Sequence, residues 1–416
     1  SAPWPAAPVG RSAVAQSVRR APGLAVGVVL TLGLGIGVNA AMFGIVDRVL
    51  LRAPDHVAEP DMVRRVFRDG KFFGQPAVIP ATTYPDVRDL RTIPEFASVG
   101  AMTANNPITL GTGVDARQVM VTRATHDFFT TLGVQAHLGR FFDADDDELA
   151  SPLTAVVSYE FWRSSLGGDA GVLGRTLQLA GHDVTVIGVA PRGFTGIDLE
   201  PVDVWLPAVP FEVFQAGSDR FFDSRRHWWL QAVVRLADGA SVEAAEAQAT
   251  ALHINGREEE RRDPDVRILT APLIQASGPG ASNESKVARW VAGVSLIVLL
   301  IACANVANLL LAQGSRRRRE VAVRLTLGVS RARLLREMVL ETMLLAAMGG
   351  VAALALANWG GDLIRAVLIP DVLWTTSPLG GRVIAVTAAL SVAAGLLAGL
   401  GPALQSTRAD LTKDLA

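Results

Sequence analysis

The chain has 416 residues, of which 50% are hydrophobic and 19% are charged, and its mean hydropathy is +0.32. This composition is more apolar than that of an ordinary soluble protein of the same length. The formal net charge of -1 argues against a nucleic-acid binder, because such proteins carry a basic excess. The single cysteine, Cys303, excludes a disulfide bond within the chain.

Four apolar runs are each long enough to cross a bilayer as a helix, and they predict four transmembrane helices. The runs cover residues 24–46, 291–313, 334–357 and 383–404. Between and around them lie an N-terminal segment 1–23, a large insert 47–289, loops 314–333 and 358–382, and a tail 405–416. The first run is too long for the core of a signal peptide, and no clear cleavage site follows it.

The basic residues orient these helices, because cytoplasmic loops carry an excess of arginine and lysine. Arginines precede the first run, seven lie between the second and third runs with Arg336 just inside the third, and Arg408 and Lys413 follow the fourth run. All of these lie on one side of the membrane if both termini are cytoplasmic. Residues 47–289 then form a folded domain on the opposite side, in contact with membrane lipid only through the helices.

Helical and strand patterns interleave along the insert, which predicts an α+β domain of two subdomains. Residues 116–123 alternate like a strand, and residues 125–133 predict a short helix capped by Thr125 and ended by Gly133. A hairpin with its turn at 181–183 is expected next. A strand and an Asp-Gly turn then lead to a helix capped by Ser241. The acidic stretch 143–148 lacks the spacing of a calcium loop and predicts a solvated loop.

Sequence motifs of known catalytic sites are missing from the chain. Its three lysines, Lys71, Lys286 and Lys413, stand outside any GxxxxGK[ST] phosphate-binding loop. The six histidines are scattered without metal-ligand spacing, and no GxSxG sequence occurs. We therefore expect a protein that is not an enzyme and holds no cofactor or metal. Any work driven by ATP would need a partner.

Small and polar residues inside the membrane runs predict how the helices associate. Gly33 and Gly37, extended by Ala41 and Gly44, form a face that permits close helix packing. Polar side chains in a bilayer usually face other helices. Three asparagines within the runs are therefore expected to form interhelical hydrogen bonds rather than substrate contacts, namely Asn39, Asn305 and Asn308.

The segment between the second and third runs predicts a short lateral helix followed by a tight turn. Gly328 would end that helix, Glu320 and Arg324 would pair within it, and Ser330 would cap the next helix. One interpretation is a helix that binds the lipid surface. The other is a docking surface for a cytoplasmic motor.

The sequence from residue 316 to 350 resembles the corresponding segment of FtsX-like permeases. The shared pattern, R-x-x-E-x-[AG]-x-R-x-x-x-G-x-[ST], is matched by six residues: Arg317, Glu320, Ala322, Arg324, Gly328 and Ser330. The insert resembles a MacB-type periplasmic domain at "SYEFWRSSLGGDAGVLGRTLQLAGHDVTVIGVAPRGFTG", "LGVQAHLGRFF" and "DVWLP". The chain is most similar to one half of the Acidobacterial duplicated orphan permeases, which lack a fused ATPase.

This resemblance implies a permease subunit in a bacterial inner membrane, with its large domain in the periplasm. Motion of a cytoplasmic ABC ATPase would pass through the first two membrane helices to that domain. The resemblance places the ATPase coupling at Arg317, Glu320, Arg324, Gly328, Ser330 and Arg331. It also implies a homodimer or a second permease half, and a possible periplasmic partner protein. The alternative is a non-transport signalling or scaffold protein that regulates an envelope enzyme.

Overall fold

The structure of the chain is a computed structural model. It describes residues 22–47, 53–72, 74–198, 200–211, 222–255, 265–274, 283–316, 330–368 and 380–407. The chain forms two compact units, which are treated separately below: one of long apolar helices and one built on a β-sheet.

Four long helices make up the first unit. They are α1 (Pro22–Val46), α6 (Asn283–Arg316), α7 (Arg331–Leu368) and α8 (Gly381–Thr407). Each contains a stretch long and apolar enough to span a membrane: Ala25–Gly44, Ala292–Ala312, Ala332–Asn358 and Gly381–Gly399. Helices α6 and α7 run beyond the spans that hydropathy assigns to them, because hydropathy marks the bilayer crossing and not the whole helix.

Helix α1 is the centre of this bundle. Its buried side chains recur at helical spacing: Ala25, Val28, Leu32, Ile36 and Ala40. The side chains from Ala25 to Ile36 in this series pack in one cluster with residues of α6, α7 and α8, among them Leu299, Ala353 and Ala394. This arrangement is typical of a membrane helix that packs one side against its neighbours.

Among the described residues, the second unit has thirteen strands and four shorter helices whose two ends are both defined. The helices are α2 (Tyr84–Leu90), α3 (Phe128–Leu132), α4 (Tyr159–Ser165) and α5 (Val242–Asn255). The strands are β1 (Val63–Phe72), β2 (Gln75–Ile79), β3 (Ala81–Thr82), β4 (Phe96–Met102), β5 (Asn106–Leu110), β6 (Arg117–Ala124), β7 (Leu138–Gly139), β8 (Thr154–Val157), β9 (Thr176–Leu179), β10 (His182–Val189), β11 (Val204–Pro207), β12 (Leu230–Leu236) and β13 (Arg267–Pro272).

All described strands join one mixed sheet that has two lobes. Its main order is β11-β8-β10-β9-β5-β6-β4-β12-β1-β13. Strands β5 to β11 form lobe one, and β1 to β4 with β12 and β13 form lobe two. The lobes meet where β4 pairs with β6 at a single residue pair, Met102 with Ala124. The expected α+β insert between the first and second membrane helices is confirmed, and its two subdomains share one sheet.

A central aromatic cluster holds the two lobes together. Phe129 of α3 stacks on Phe141 with ring centroids 3.9 Å apart and meets the edge of Trp205 at 5.7 Å. Val63 and Val233, both from lobe two, pack in the same buried cluster. Burial of large aromatic rings contributes strongly to core stability, so this cluster makes the lobes one compact body.

Two local predictions are wrong in detail. The residue that precedes α3 is Asp127, whereas the Thr125 hydroxyl accepts the Ala101 N–H at 2.9 Å and so binds α3 to β4. The hairpin turns at Ala180 and Gly181, which have positive φ values of 51° and 83°, and residue 182 already belongs to β10. Two consecutive residues with positive φ give the tight turn that matches strand twist. The predicted end of α3 at Gly133 and the Ser241 cap of α5 are confirmed.

The acidic stretch 143–148 is only in part the solvated loop that its composition predicts, because Asp146 and Asp147 are buried and its other four residues are exposed. Asp147 is only 6% exposed, and its carboxylate accepts the N–H of His126 at 3.1 Å and of Val209 at 3.0 Å. Asp146 is also buried and pairs with the Arg140 guanidinium. These carboxylates satisfy buried backbone donors and a cation, so this part of the stretch is structural.

We predict that Gly35→Val destabilises the helical unit. A Cβ atom at Gly35 would lie 2.7 Å from the Ala302 Cβ of α6, so the two helices would have to separate. Overpacking of this kind typically costs about 1–3 kcal/mol. The measurement is the temperature at which half of the detergent-solubilised chain still elutes as a monodisperse peak. Gly27→Val is the matched control, because no atom lies within 4 Å of a Cβ at that glycine. Equal loss in both variants would contradict the close contact.

Two histidines of the sheet unit should affect stability with opposite dependence on pH. The hydrogen bond to Asp147 raises the pKa of His126, whereas burial and the nearby Arg123 lower the pKa of His227. A histidine with a raised pKa binds its proton more tightly in the folded state. Its stabilising effect is therefore complete below about pH 6.5 and is lost as the pH rises through the folded-state pKa.

We therefore expect His126→Gln to lower the unfolding temperature most at about pH 5.5 and least at pH 8.5. His227→Gln should raise it at the acidic end, because the folded wild-type chain disfavours the charged form of this ring. Thermal unfolding followed by tryptophan fluorescence across this range is the measurement, and His137→Gln serves as the control. A pH-independent effect of either variant would contradict the assigned contacts.

Candidate functional site

The chain enters the sheet unit through a segment that is firmly anchored. Ala58 donates its N–H to the Leu132 carbonyl at 3.0 Å, and its own carbonyl accepts a bond from Arg235 Nη2 at 2.8 Å. Gly133, with φ of 67°, ends α3 beside it, and a Cβ there would lie 2.6 Å from the Ala58 Cβ. The incoming segment is therefore held against α3 and β12 before β1 begins.

The first and last strands of the sheet unit are neighbours. Strand β1, which follows the first membrane helix, runs antiparallel to β13, which precedes the second, with Arg64 opposite Pro272. Arg64 Nε donates to Thr270 Oγ1 at 2.7 Å, and Glu246 of α5 accepts the Thr270 N–H at 2.6 Å. The two strands that connect to α1 and α6 thus form one edge of the sheet, which we call the β1–β13 edge.

A buried arginine binds this edge to a loop elsewhere in the sheet unit. Arg65 of β1 is 8% exposed, and its Nη2 donates to the Ile197 carbonyl at 2.7 Å and to Asp198 Oδ1 at 2.6 Å. A charge buried this deeply needs its partners, because an isolated one is strongly destabilising. A displacement of β1 would therefore stretch the bonds from Arg65 to residues 197 and 198 and strain that loop.

The two membrane helices that lead to the edge are also in contact. Asn39 of α1 is 7% exposed, and its Nδ2 donates to the Ser295 carbonyl of α6 at 2.7 Å and to the Gly35 carbonyl at 2.8 Å. One turn away, Gly35 allows the Ala302 methyl to lie close to the α1 backbone. The interhelical hydrogen bond expected of Asn39 is present.

Most of the predicted ATPase-coupling residues lie outside the described residues, namely Arg317, Glu320, Arg324 and Gly328. Ser330 is described, and its Oγ accepts the Arg333 N–H at 3.3 Å at the start of α7. Arg331 is the first residue of α7, and its side chain is not described. The segment thus connects the end of α6 at Arg316 with a capped start of α7.

The predicted helix-packing residues lie mainly between α1 and α7. A Cβ at Gly33 would be 3.2 Å from the Ala352 Cβ, and one at Gly37 would be 3.4 Å from the Ala353 Cα. Gly44 is looser, with Val383 of α8 at 4.0 Å, and Ala41 is partly exposed. The first two positions therefore provide the close contact.

Several residues of this arrangement were not singled out in the sequence. Gly35 contacts α6 on a different side of α1 from Gly33 and Gly37. The packing face predicted from Gly33 and Gly37 therefore did not include this contact. Arg64 and Arg65 are adjacent in a strand, and each binds a different neighbour. Two consecutive arginines in a buried strand are unusual, and this pattern could have suggested that both side chains bind specific partners.

The described residues hold no group of three histidine, cysteine or carboxylate side chains placed to bind a metal. Within the helical unit α1 contacts α6, and within the sheet unit β1 pairs with β13.

Two family models match the chain. The "MacB-like periplasmic core domain" matches residues 25–252, and the "FtsX-like permease C-terminal" model matches residues 292–411. The first match covers the first membrane helix and most of the sheet unit. The second covers the remaining three helices and the segment between α6 and α7.

The chain is also similar to curated ATP-binding/permease proteins. The chain is 26% identical over 285 residues to the macrolide export ATP-binding/permease protein MacB of Chromobacterium violaceum, covering 68% of this chain and 41% of that protein. It is 26% identical over 333 residues to the pyoverdine export ATP-binding/permease protein PvdT of Pseudomonas aeruginosa, covering 80% of this chain and 47% of that one. The chain thus spans less than half the length of these relatives.

Solved structures similar to the chain include the extracellular domain of the noncanonic ABC-type transporter YknZ from Gram-positive bacteria. It is 14% identical, with a TM-score of 0.37, and covers 50% of this chain and 98% of that one. The periplasmic region of MacB from Actinobacillus actinomycetemcomitans is 17% identical, with a TM-score of 0.38, and covers 54% of this chain and 91% of that one.

The family matches agree with the architecture of four membrane spans and a periplasmic α+β domain inserted between the first and second. The chain belongs to the family of MacB/FtsX-like ABC permeases.

Proposed function

We propose that this chain is the permease unit of a MacB-type ABC export system. In it, motion of α1 and α6 reaches the periplasmic domain through the β1–β13 edge. The observation that carries this proposal is that the strands continuing from these two helices are adjacent and antiparallel, with Arg64 opposite Pro272. A displacement of the two helices would act on one edge of the sheet and not on two distant points.

Contacts inside the bundle support the same route. The bond from Asn39 to the Ser295 carbonyl and the contact of Gly35 with Ala302 hold α1 and α6 together. Interhelical hydrogen bonds in membranes average about 0.6 kcal/mol, so close packing must supply much of this association. The helix pair can then move as one element.

The motor would be an ABC ATPase. The chain has no phosphate-binding loop of its own, whereas the names of its relatives join ATP-binding and permease functions. We place the contact at the segment between α6 and α7, in the cytoplasm with both termini. The residues proposed to contact or shape it are Arg317, Glu320, Arg324, Gly328, Ser330 and Arg331.

The exporting unit would contain two permease units. The second is either another copy or the other half of a duplicated permease like the Acidobacterial ones. Matches that span less than half of the relatives' length are compatible with either arrangement. The periplasmic domain would act on cargo on the outer side of the inner membrane, by itself or with a periplasmic partner protein.

We predict that Glu320→Arg weakens ATPase binding. The reversal of charge places a fifth consecutive arginine after Arg316–Arg319 and removes the partner that the i,i+4 spacing predicts for Arg324. Loss of one contact between this segment and the ATPase, worth about 1.4 kcal/mol, would reduce the amount of ATPase recovered roughly tenfold. The measurement is a pull-down from solubilised membranes with an assay of ATPase activity in the eluate. Asp410→Arg is the control, because it makes the same charge change in the cytoplasmic tail.

Wild-type recovery of ATPase activity with Glu320→Arg would contradict the coupling assignment. Recovery of a periplasmic enzyme and no ATPase, even with the wild-type chain, would contradict the export proposal and favour the regulatory alternative.

A further inference from the structure

The segment that leads into α3 is fixed to lobe two. Thr125 donates its N–H to the Ala101 carbonyl of β4 at 2.9 Å, and its hydroxyl accepts the Ala101 N–H at 2.9 Å. Two residues later, the Asp127 carboxylate lies 2.8 Å from Nη2 of Arg91, the residue directly after α2. The buried side chains of α2 pack in the core cluster of lobe two. Residues 125–127 are therefore held by two elements of that lobe.

His126, in the middle of this segment, meets lobe one at a buried carboxylate. Its N–H donates to Asp147 Oδ2 at 3.1 Å, and its ring Nδ1 lies 3.5 Å from the same oxygen. The other oxygen of Asp147 accepts the N–H of Val209, two residues beyond β11, at 3.0 Å. Arg91, Asp127, His126 and Asp147 thus connect the two lobes, and we call these four residues the lobe seam.

The charges of the lobe seam do not balance when the His126 ring is neutral. Asp127 and Asp147 supply two carboxylates, whereas Arg91 supplies one guanidinium. Tyr84 of α2 faces the same group, and burial and the Asp147 charge raise the pKa of its phenol, which therefore stays neutral. A proton on His126 makes the seam neutral overall and places a cation beside Asp147, whose side chain is only 1% exposed. A nearby opposite charge stabilises an ionised carboxylate.

Histidine is the side chain that ordinarily changes its charge between about pH 5 and 8. The hydrogen bond to Asp147 raises the pKa of His126, while burial and the Arg91 charge act in the opposite direction. The aromatic cluster around Phe129 and Trp205 also joins the lobes, but its rings have no charge to gain or lose in this range. The lobe seam therefore adds a part that depends on pH to a junction that is otherwise apolar.

We propose that the lobe seam is an acid-dependent clamp, which holds the two lobes together more firmly below about pH 6.5 than above it. The sign follows from linkage, because a contact that favours the protonated ring is complete at acidic pH and is lost as the ring deprotonates. In the proposed function, a movement at the β1–β13 edge enters lobe two first. Protonation of His126 then sets how closely lobe one follows that movement, and only this consequence rests on the proposed function.

Two substitutions fix the charge at position 126. His126→Gln places a neutral side chain there at every pH, whereas His126→Lys keeps a cation there throughout the range tested. His137→Gln is the control, because the His137 ring packs on Tyr159 and Trp162 within lobe one. If one of the His126 variants fails to fold, the other still gives one fixed charge state to compare with the wild-type chain.

The movement of one lobe against the other is measured between two dyes. Cys303→Ala removes the native cysteine, and Gln178→Cys on β9 and Ala247→Cys on α5 place one label on each lobe at exposed positions. Energy transfer is recorded from single molecules of the full chain in lipid nanodiscs, at about pH 5.5 and about pH 8.5. No ATPase is needed for this measurement.

We expect the spread of distances to be narrower at the acidic pH than at the alkaline pH in the chain with His126 and in the His137→Gln control. The spread should be broad at both pH values in His126→Gln and narrow at both in His126→Lys. Protection of the Val209 N–H against hydrogen exchange, compared between variants at the same pH, provides a second readout. At the acidic pH, His126→Gln should lower it roughly threefold, the modest effect of a partly exposed ion pair.

An equal spread at both pH values in the chain with His126 overturns the proposal. A dependence on pH that persists in His126→Gln and His126→Lys also overturns it, because the responsible group then lies elsewhere. The two proposals fail separately. Absence of an ATPase partner contradicts the proposed function and leaves the clamp in place, whereas loss of the clamp leaves the ATPase pull-down unchanged.

Discussion

Direct contact between α1 and its neighbours is the constraint on which the helical unit depends. Lipid tails are as apolar as leucine, so no hydrophobic effect drives one membrane helix against another. Dispersion between touching atoms and hydrogen bonds must therefore hold the bundle together. Gly33 and Gly37 admit α7, Gly35 admits α6, and Asn39 bonds to the α6 backbone. A Cβ at Gly35 would approach the Ala302 Cβ to 2.7 Å and force α1 and α6 apart, whereas one at Gly33, 3.2 Å from the Ala352 Cβ, would need only a small shift of its neighbour.

The sheet unit is stabilised differently, because the hydrophobic effect in water drives the burial of its apolar side chains. Its aromatic cluster at Phe129 and Trp205 unites two lobes that share a single pair of residues between β4 and β6. The buried Arg65 then connects the β1–β13 edge with the 197–198 loop. In the proposed function, this edge is the part of the sheet unit on which a movement of α1 and α6 would act.

Hydropathy was sufficient to predict the four helices and the insert between the first two, because this signal is summed over long segments. Strong local signals also succeeded, such as Gly133 at the end of α3 and the Ser241 cap of α5. Single-residue roles failed where a distant partner decides them. Thr125 bonds to β4 instead of capping its own helix, and Asp147 is buried because it accepts the N–H of Val209.

The pairing of β1 with β13 could not be predicted, since these strands are separated by most of the domain and either has several possible neighbours. The same holds for Arg64 and Thr270, whose contact depends on that pairing. For Asn305 and Asn308 the sequence predicted hydrogen bonds to another helix, whereas both side chains are exposed among the described helices. Of the three asparagines, Asn39 forms the predicted bond.

The central claim is that ATP-driven motion reaches the periplasmic domain through the β1–β13 edge. Hydrogen exchange on the chain co-purified with its ATPase, in lipid nanodiscs with and without ATP, tests it most directly. The account predicts ATP-dependent changes in exchange at β1 and β13 and at the 197–198 loop, with little change at β9. Unchanged exchange at the edge, or changes confined to strands remote from it, would contradict the account.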